Sequence, residues 1–493
     1  MKKVFVSICS LVLFLFFFGQ RTFADNHNVS LQDAEKVAAN YLNYSPKEAR
    51  LVYSIANPVT GATALYFFNF DDKAFAIVSG CEAATPIVGY SEEGALDVEH
   101  LPSNMLVWVE GYAEMVIAAQ NQEVEPTDEV LSEWKRLLSD GSDVRSEEPK
   151  ASIKLMTEKW GQGDNDRPTY NLYCPVLQNN KYCVVGCVAT SMSQVIHYWH
   201  FPKVGQGQKG YREKYIDENG NISQRPAVQI HFDETFYDYD QMPSDKLTSS
   251  SDSATIKAAA LLSFHTGVAV SANYGVDGTS AYSESVPGAM RQYFKYKLGT
   301  LTYRASYSST RWMEILRDEI DHHRPIMYSA SSPTGGGQDA AGHAFICHGY
   351  RSNSNYFAFN WGWDGSADGW FDMSTVNGLT PQSYNFSQRQ DAILGVEPPD
   401  DSNIYVGIRQ VEPVQAEVFA AYPNPATYSV TVPYHMNSDK DADLMVYDVT
   451  GKLVETVRLT SGSSKVEINV TAYPKGIYVY RVKGGTSNKF IVQ

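Results

Sequence analysis

Between Val185 and Pro202 the chain sets a glycine, then a cysteine, then an apolar stripe at helical spacing, a combination that admits little besides a buried helix opening on a thiol. Val188, Met192, Val195 and Trp199 recur at the helical period, and Pro202 closes the element. Cys187 falls in the first turn. The peptide N–H groups there have no intrahelical partner and carry partial positive charge, so a thiol at this position ionises more readily than in water. The alternative is a small apolar residue that is merely buried and inert.

A second segment bears on that choice. His343-Ala-Phe-Ile-Cys-His-Gly-Tyr350, the polar turn Arg351–Asn355 and Tyr356-Phe-Ala-Phe-Asn-Trp-Gly-Trp363 have the pattern of a β-hairpin. With the turn centred near Asn353, antiparallel pairing brings residues 360–363 opposite His343, which then faces Asn360 and Trp361. Nucleophilic catalysis needs such a set: cysteine attacks, histidine takes and returns the proton, and an amide fixes the imidazole's orientation. Trp361 would shield the histidine–asparagine bond from water. Strand-end histidine and core tryptophans are the structural alternative.

Trp160-Gly-Gln162, Pro168–Asn171, Cys174-Pro175, Gly186–Thr190, Gly342-His-Ala-Phe345 and Phe359–Trp363, in that order, resemble the streptopain family of bacterial cysteine proteases. The resemblance runs from about Asn26 to Pro398 if a pro-domain is included. It implies Cys187 as nucleophile, His343 as general base and acid, Asn360 as orienter, Gln162 as side-chain oxyanion donor, and Trp361 packed beside the histidine. It also implies an α+β, papain-like fold of two subdomains with the site between them, and a small α+β pro-domain that inhibits the enzyme until removed. Protein substrates with an apolar residue two positions before the cleaved bond follow from it, with no metal or organic cofactor. The papain signature around its cysteine is absent here. Pairing among Cys81, Cys174, Cys183 and Cys347 is left open.

Lys2-Lys3, the apolar run Val4–Phe18 and Thr22-Phe23-Ala24 make a secretory signal over residues 1–24, too short to favour a membrane anchor. Five of the six cysteines remain after its loss, so at least one thiol stays unpaired or pairs between chains. A formal net charge of −16 argues against nucleic acid or an anionic membrane surface as the main partner.

Residues 25–150 read as the pro-domain and its connector: a helix from Leu31, strands at Leu65–Phe70, Phe75–Ser79 and Pro86–Tyr90, a helix at Asn104–Gln120, and a polar, nickable stretch from Glu123 to Lys150. An independent binding module is the alternative. Residues 151–398 form the catalytic block, with a Gly-rich loop Ser331–Gln338 before His343. From 399 to 493, short alternating runs predict a β-sandwich. Tyr422-Pro-Asn-Pro425, Tyr447–Lys452, Pro474–Tyr478 and Lys489–Val492 resemble the C-terminal sorting domain of type IX secretion, which implies the secretion machinery as a partner and an extracellular or outer-surface destination.

Weaker readings compete. Cys183, Cys187, His197 and His200 superficially suggest zinc, and Asp364 with Asp368 calcium, although turn formation explains the aspartates better. The sequence therefore predicts a secreted cysteine endopeptidase made as a zymogen and working through a thiolate–imidazolium pair. The alternatives are a Cys-His peptidoglycan amidase and a non-enzymatic adhesin with a protease-like fold.

Overall fold

The computed structural model describes residues 27–139, 152–177, 180–212, 214–216, 222–224, 227–331, 342–379, 386, 389–400, 416–436, 441–448, 453–482 and 488–493. The expected signal, the end of the connector, residues 332–338 of the Gly-rich loop and most of the linker after Pro399 lie outside them. The chain separates into a larger unit ending at Val406 and a smaller one beginning at Gly407.

The larger unit is built on one antiparallel sheet. Its strands are β1 (Arg50–Ala56), β2 (Thr63–Phe70), β3 (Ala74–Ser79), β4 (Ile87–Ser91), β5 (Ser152–Lys154), β6 (Thr300–Tyr303), β7 (Ile326–Ser331), β8 (Gly342–Arg351), β9 (Tyr356–Asn360), β10 (Gly369–Asp372) and β11 (Gln390–Leu394). They lie in the order β1-β2-β3-β4-β10-β9-β8-β7-β11-β6, with β5 pairing onto β8. The N-terminal block and the catalytic block thus share a sheet, joined where Tyr90 pairs with Trp370 and Gly89 with Phe371. A Cβ on Gly89 would come within 2.5 Å of the Phe371 ring, so the seam requires glycine there.

The near-continuous apolar run of β2 follows from burial on both faces. Tyr66 and Phe68 meet α1 (Leu31–Leu42) and α3 (Asp128–Leu138), while Leu65 and Phe67 share a core with α2 (Ser103–Asn121). Ser30 caps α1, accepting from Asp33 N at 3.1 Å. Strand β1 escaped the sequence reading because it is a largely exposed edge without a clean apolar alternation.

Helix α2 also packs on β7 and β8, with Met105, Trp108 and Tyr112 in one core with Phe345, Phe359 and Trp361. On the opposite face of β8, Ala344 and Ile346 belong to a second core with α4 (Cys187–Trp199), α5 (Ser253–Ala269) and α6 (Val286–Phe294). Helix α7 (Ser309–Asp321) puts Trp312, Leu316 and Ile320 into the first core. A helical subdomain thus stands against a sheet subdomain, the α+β, papain-like architecture.

In the smaller unit, a three-stranded sheet (416–418, 429–436, 465–469) and a four-stranded one (442–447, 453–459, 476–482, 488–492) are both antiparallel. Val430, Val432 and Tyr434 of the first meet Leu444, Val446, Tyr480 and Phe490 of the second in a common core, giving the β-sandwich expected from the alternating runs.

Candidate active site

Cys187 is the first residue of α4. The turn into the helix is made by Gly186 at φ 89°, where a Cβ would stand 2.7 Å from the Thr279 carbonyl oxygen, so only glycine brings the chain in this close. The thiol is half-buried. Burial pushes it up, while the nearby backbone N–H groups of Ala344, Val188 and Cys187 itself pull it partly back. Ala344, the residue after His343, and Cys187 thus border one core.

His343 lies on β8, paired with Ala330 of β7. Its side chain belongs to the strand face turned toward α2, and Ser103 Oγ at the start of that helix is 3.4 Å from His343 Nδ1. Burial holds the imidazole below its usual value. The next α2 residue, Asn104, is fully buried and donates from Nδ2 to Ala344 O at 3.1 Å and to Trp361 O at 2.5 Å. Its Oδ1 accepts from Met105 N at 3.1 Å. The N-terminal block therefore clamps the ends of both strands that bear the sequence-selected residues. Ser103 and Asn104 escaped the sequence reading, where they look like ordinary helix-start residues.

Among the described residues no hydrogen bond joins Cys187 to His343, and burial favours the neutral form of each. Nor does Asn360 bond to His343. A β-bulge at His348 shifts the register so that Asn360 pairs with Ile346, which turns its side chain toward α4, whereas His343 faces α2. The Asn360 amide donates to Glu158 O and Gln194 Oε1 (3.1 Å) and accepts from Gln194 Nε2 (3.2 Å) and Gly362 N (2.9 Å).

Trp361 is fully buried, its Nε1 donating to Ala367 O at 2.9 Å and its ring 4.7 Å from that of Phe345, two residues along β8 from His343. Asp368 Oδ1 accepts from Trp361 N at 2.9 Å, the turn-forming role rather than calcium binding. Gln162 is held beside the segment that leads into α4, its carbonyl accepting from Val185 N at 3.0 Å. Among the described residues no hydrogen bond is made by its side-chain amide. His197 pairs with buried Glu158 at 2.9 Å, and among the described residues no group of three metal-ligating side chains assembles, which removes the support for zinc.

Comparison with known proteins matches residues 160–371 to the Peptidase C10 family, 26–116 to the Spi protease inhibitor family and 420–493 to the secretion system C-terminal sorting domain. Thiol protease/hemagglutinin PrtT of Porphyromonas gingivalis is 26% identical over 81% of this chain, which spans only 44% of that relative. Streptopain of Streptococcus pyogenes is 25% identical, with 68% of this chain and 81% of the relative covered. Among solved structures, a mutant fragment of Prevotella intermedia prointerpain A is 25% identical and aligns over 71% of this chain and 99% of its own, with TM-score 0.55. Active interpain A from the same organism is 31% identical over 50% of this chain and 95% of its own, with TM-score 0.41.

Proposed function

Because the chain belongs to the peptidase C10 family of cysteine-type peptidases, the streptopain family, we propose that it is a secreted zymogen of an endopeptidase whose nucleophile is Cys187 and whose base is His343. The observation that carries this reading is the packing of β8 on α4, which puts Ala344, the residue after His343, in the core that Cys187 borders, with its N–H near the sulfur. In the precursor, Ser103 and Asn104 occupy the His343 end of β8. Their withdrawal frees the imidazole to turn from α2 toward α4 and take the thiol proton.

The thiolate then attacks the scissile carbonyl, and the oxyanion accepts from the Cys187 N–H and the Gln162 amide. His343 protonates the leaving amine, and a water deprotonated by the same imidazole releases the acyl group. Trp361 packs beside the histidine strand, and Asn360 acts on the site from the α4 side. Extracellular proteins are the substrates, with an apolar residue favoured two positions before the cut. The C-terminal unit directs export through its secretion machinery, and the chain requires no cofactor. Labelling the matured protein with a thiol-reactive peptidyl inhibitor and mapping the adduct by mass spectrometry tests this reading. An adduct anywhere but Cys187, or hydrolysis of purified cell wall in place of casein, would sink it.

Gln162→Ala is expected to lower kcat about 10²-fold with KM nearly unchanged, since one preorganised oxyanion donor is lost. Steady-state kinetics on a peptide amide would show this, and an unaltered kcat removes Gln162 from the site.

Docking of the N-terminal block is expected to depend on pH through Asp372. Its carboxyl is buried against that block, accepting from Tyr112 OH of α2 at 2.8 Å and from Ser374 Oγ, which itself meets Thr85 Oγ1 at 3.1 Å. Burial pushes it up from 3.8 to about 6, helped by the nearby Glu133, against the lowering effect of its two hydroxyl donors. The docked form thus keeps a proton that the separated enzyme, with Asp372 in water, gives up at an ordinary carboxylate value. Docking is strongest below about 4 and weakens as pH rises through about 6. The cleaved block should inhibit at least about tenfold more tightly at the acid end, measured as Ki against pH, and Asp372→Asn should flatten that component. Tighter inhibition at neutral pH, equal in both proteins, would contradict it.

A further inference from the structure

We propose that Gln194 is the positioning residue that fixes the nucleophile helix against both segments carrying its catalytic partners. The proposal rests on the assignment of Cys187 and Gln162 above. Gln194 lies seven residues after Cys187 on α4, two helical turns further along and on nearly the same face, about 10 Å down the axis. It is fully buried, and both polar atoms of its amide are bonded. Oε1 accepts from Trp160 N at 3.2 Å and from Asn360 Nδ2 at 3.1 Å, and Nε2 donates to Asn360 Oδ1 at 3.2 Å.

These bonds lead to two different parts of the site. Trp160 N begins the Trp160-Gly-Gln162 segment that delivers the oxyanion donor. Asn360 ends β9 and leads into Trp361, and its Oδ1 also fixes Gly362 N at 2.9 Å. The same helical stripe supports the arrangement on both sides of Gln194. Thr190, one turn nearer Cys187, closes on Gly362, where an added Cβ would meet Thr190 Cγ2 at 3.2 Å. His197, one turn further, bonds the carboxylate of Glu158 at 2.9 Å, and the carbonyl of that glutamate takes the other Asn360 hydrogen.

An apolar side chain would fill the same space, but it would set no direction. A reciprocal amide pair in a buried setting tolerates little displacement, because a slip leaves polar groups unpaired. Gln194 therefore transmits the position of α4 to the Gln162 donor through Trp160 N and to the Trp361 strand end through Asn360. Asn360 acts in this scheme by holding segments in register rather than by touching the imidazole.

The test is a double-mutant cycle on the matured enzyme. Gln194→Met keeps length and removes every hydrogen bond; kcat should fall about 10²-fold with KM within about twofold, the loss a displacement near 1 Å produces. Gln194→Met combined with Gln162→Ala should fall little further than either alone, because both remove the same oxyanion contact. Gln194→Glu keeps the two acceptor contacts and serves if the methionine protein does not fold; it should lose about tenfold and be equally non-additive with Gln162→Ala. Multiplicative losses, or wild-type kcat in a folded Gln194 variant, overturn the proposal. Each protein is also titrated with the thiol-reactive peptidyl inhibitor. Full labelling of Cys187 alongside multiplicative kinetics defeats the role of Gln194 alone, whereas wild-type labelling elsewhere defeats the underlying site assignment with it.

Discussion

Cys187→Ala is expected to lower turnover about 10⁶-fold, the scale of losing a covalent nucleophile, while the precursor stays folded. The substitution removes one sulfur from a half-buried position at a helix start and leaves Gly186, the helix and the Ala344 strand end in place. Its effect therefore falls on chemistry, with any change in melting temperature small. His343→Ala should approach the same floor, and the double variant should go no lower, because nucleophile and base act in one step. The measurement is casein or peptide-amide hydrolysis after trans-cleavage by a trace of active enzyme, with the residual rate corrected for that trace. More than about one per cent of wild-type turnover in Cys187→Ala would place the nucleophile elsewhere.

Asn104→Ala in the uncut precursor is expected to raise spontaneous activity about 10- to 100-fold. The buried Asn104 amide donates to two strand-end carbonyls, Ala344 O and Trp361 O, and its loss leaves both acceptors unpaired. Two such bonds contribute on the order of 2–3 kcal/mol, and each 1.4 kcal/mol shifts the closed-to-open ratio about tenfold. Ser103→Ala should do less, since its contact with His343 Nδ1 is long at 3.4 Å. The rate of first-order self-processing in dilute solution, where one precursor cannot cut another, reports the open fraction directly. A precursor carrying Asn104→Ala that matures no faster than wild type would show that inhibition resides elsewhere in the block.

The residues that announce themselves in the sequence do so through local rules. Cys187 follows a glycine at the head of an apolar stripe, and the hairpin pattern around Asn353 is a two-residue alternation broken by a polar turn. The capped helix from Leu31 and the alternating strands of the C-terminal sandwich are legible for the same reason. What sequence does not carry is long-range registration. One extra residue at the His348 bulge decides that Asn360 faces α4 rather than His343. Nothing local marks Gln194, one of several polar residues buried along α4, as the partner of Asn360 at a separation of 166 residues. Ser103 and Asn104 meet their partners across an even longer separation of 240 residues, and only the docked α2 gives them meaning.

The seam between β4 and β10 also changes what maturation means for the rest of the molecule. Cutting the connector removes a neighbour from the middle of a ladder, so Gly369–Asp372 passes from an interior strand to an outer one with unpaired amides and carbonyls. Such rims invite other extended chains, and proteins guard them with short length and charge. This one is four residues long, opens on glycine and closes on an aspartate that ionises once wet. The mature molecule is therefore born with its own safeguard against self-association, and a neutral residue in place of Asp372 would strip that safeguard in the same stroke as it fixes the protonation state of the docked form.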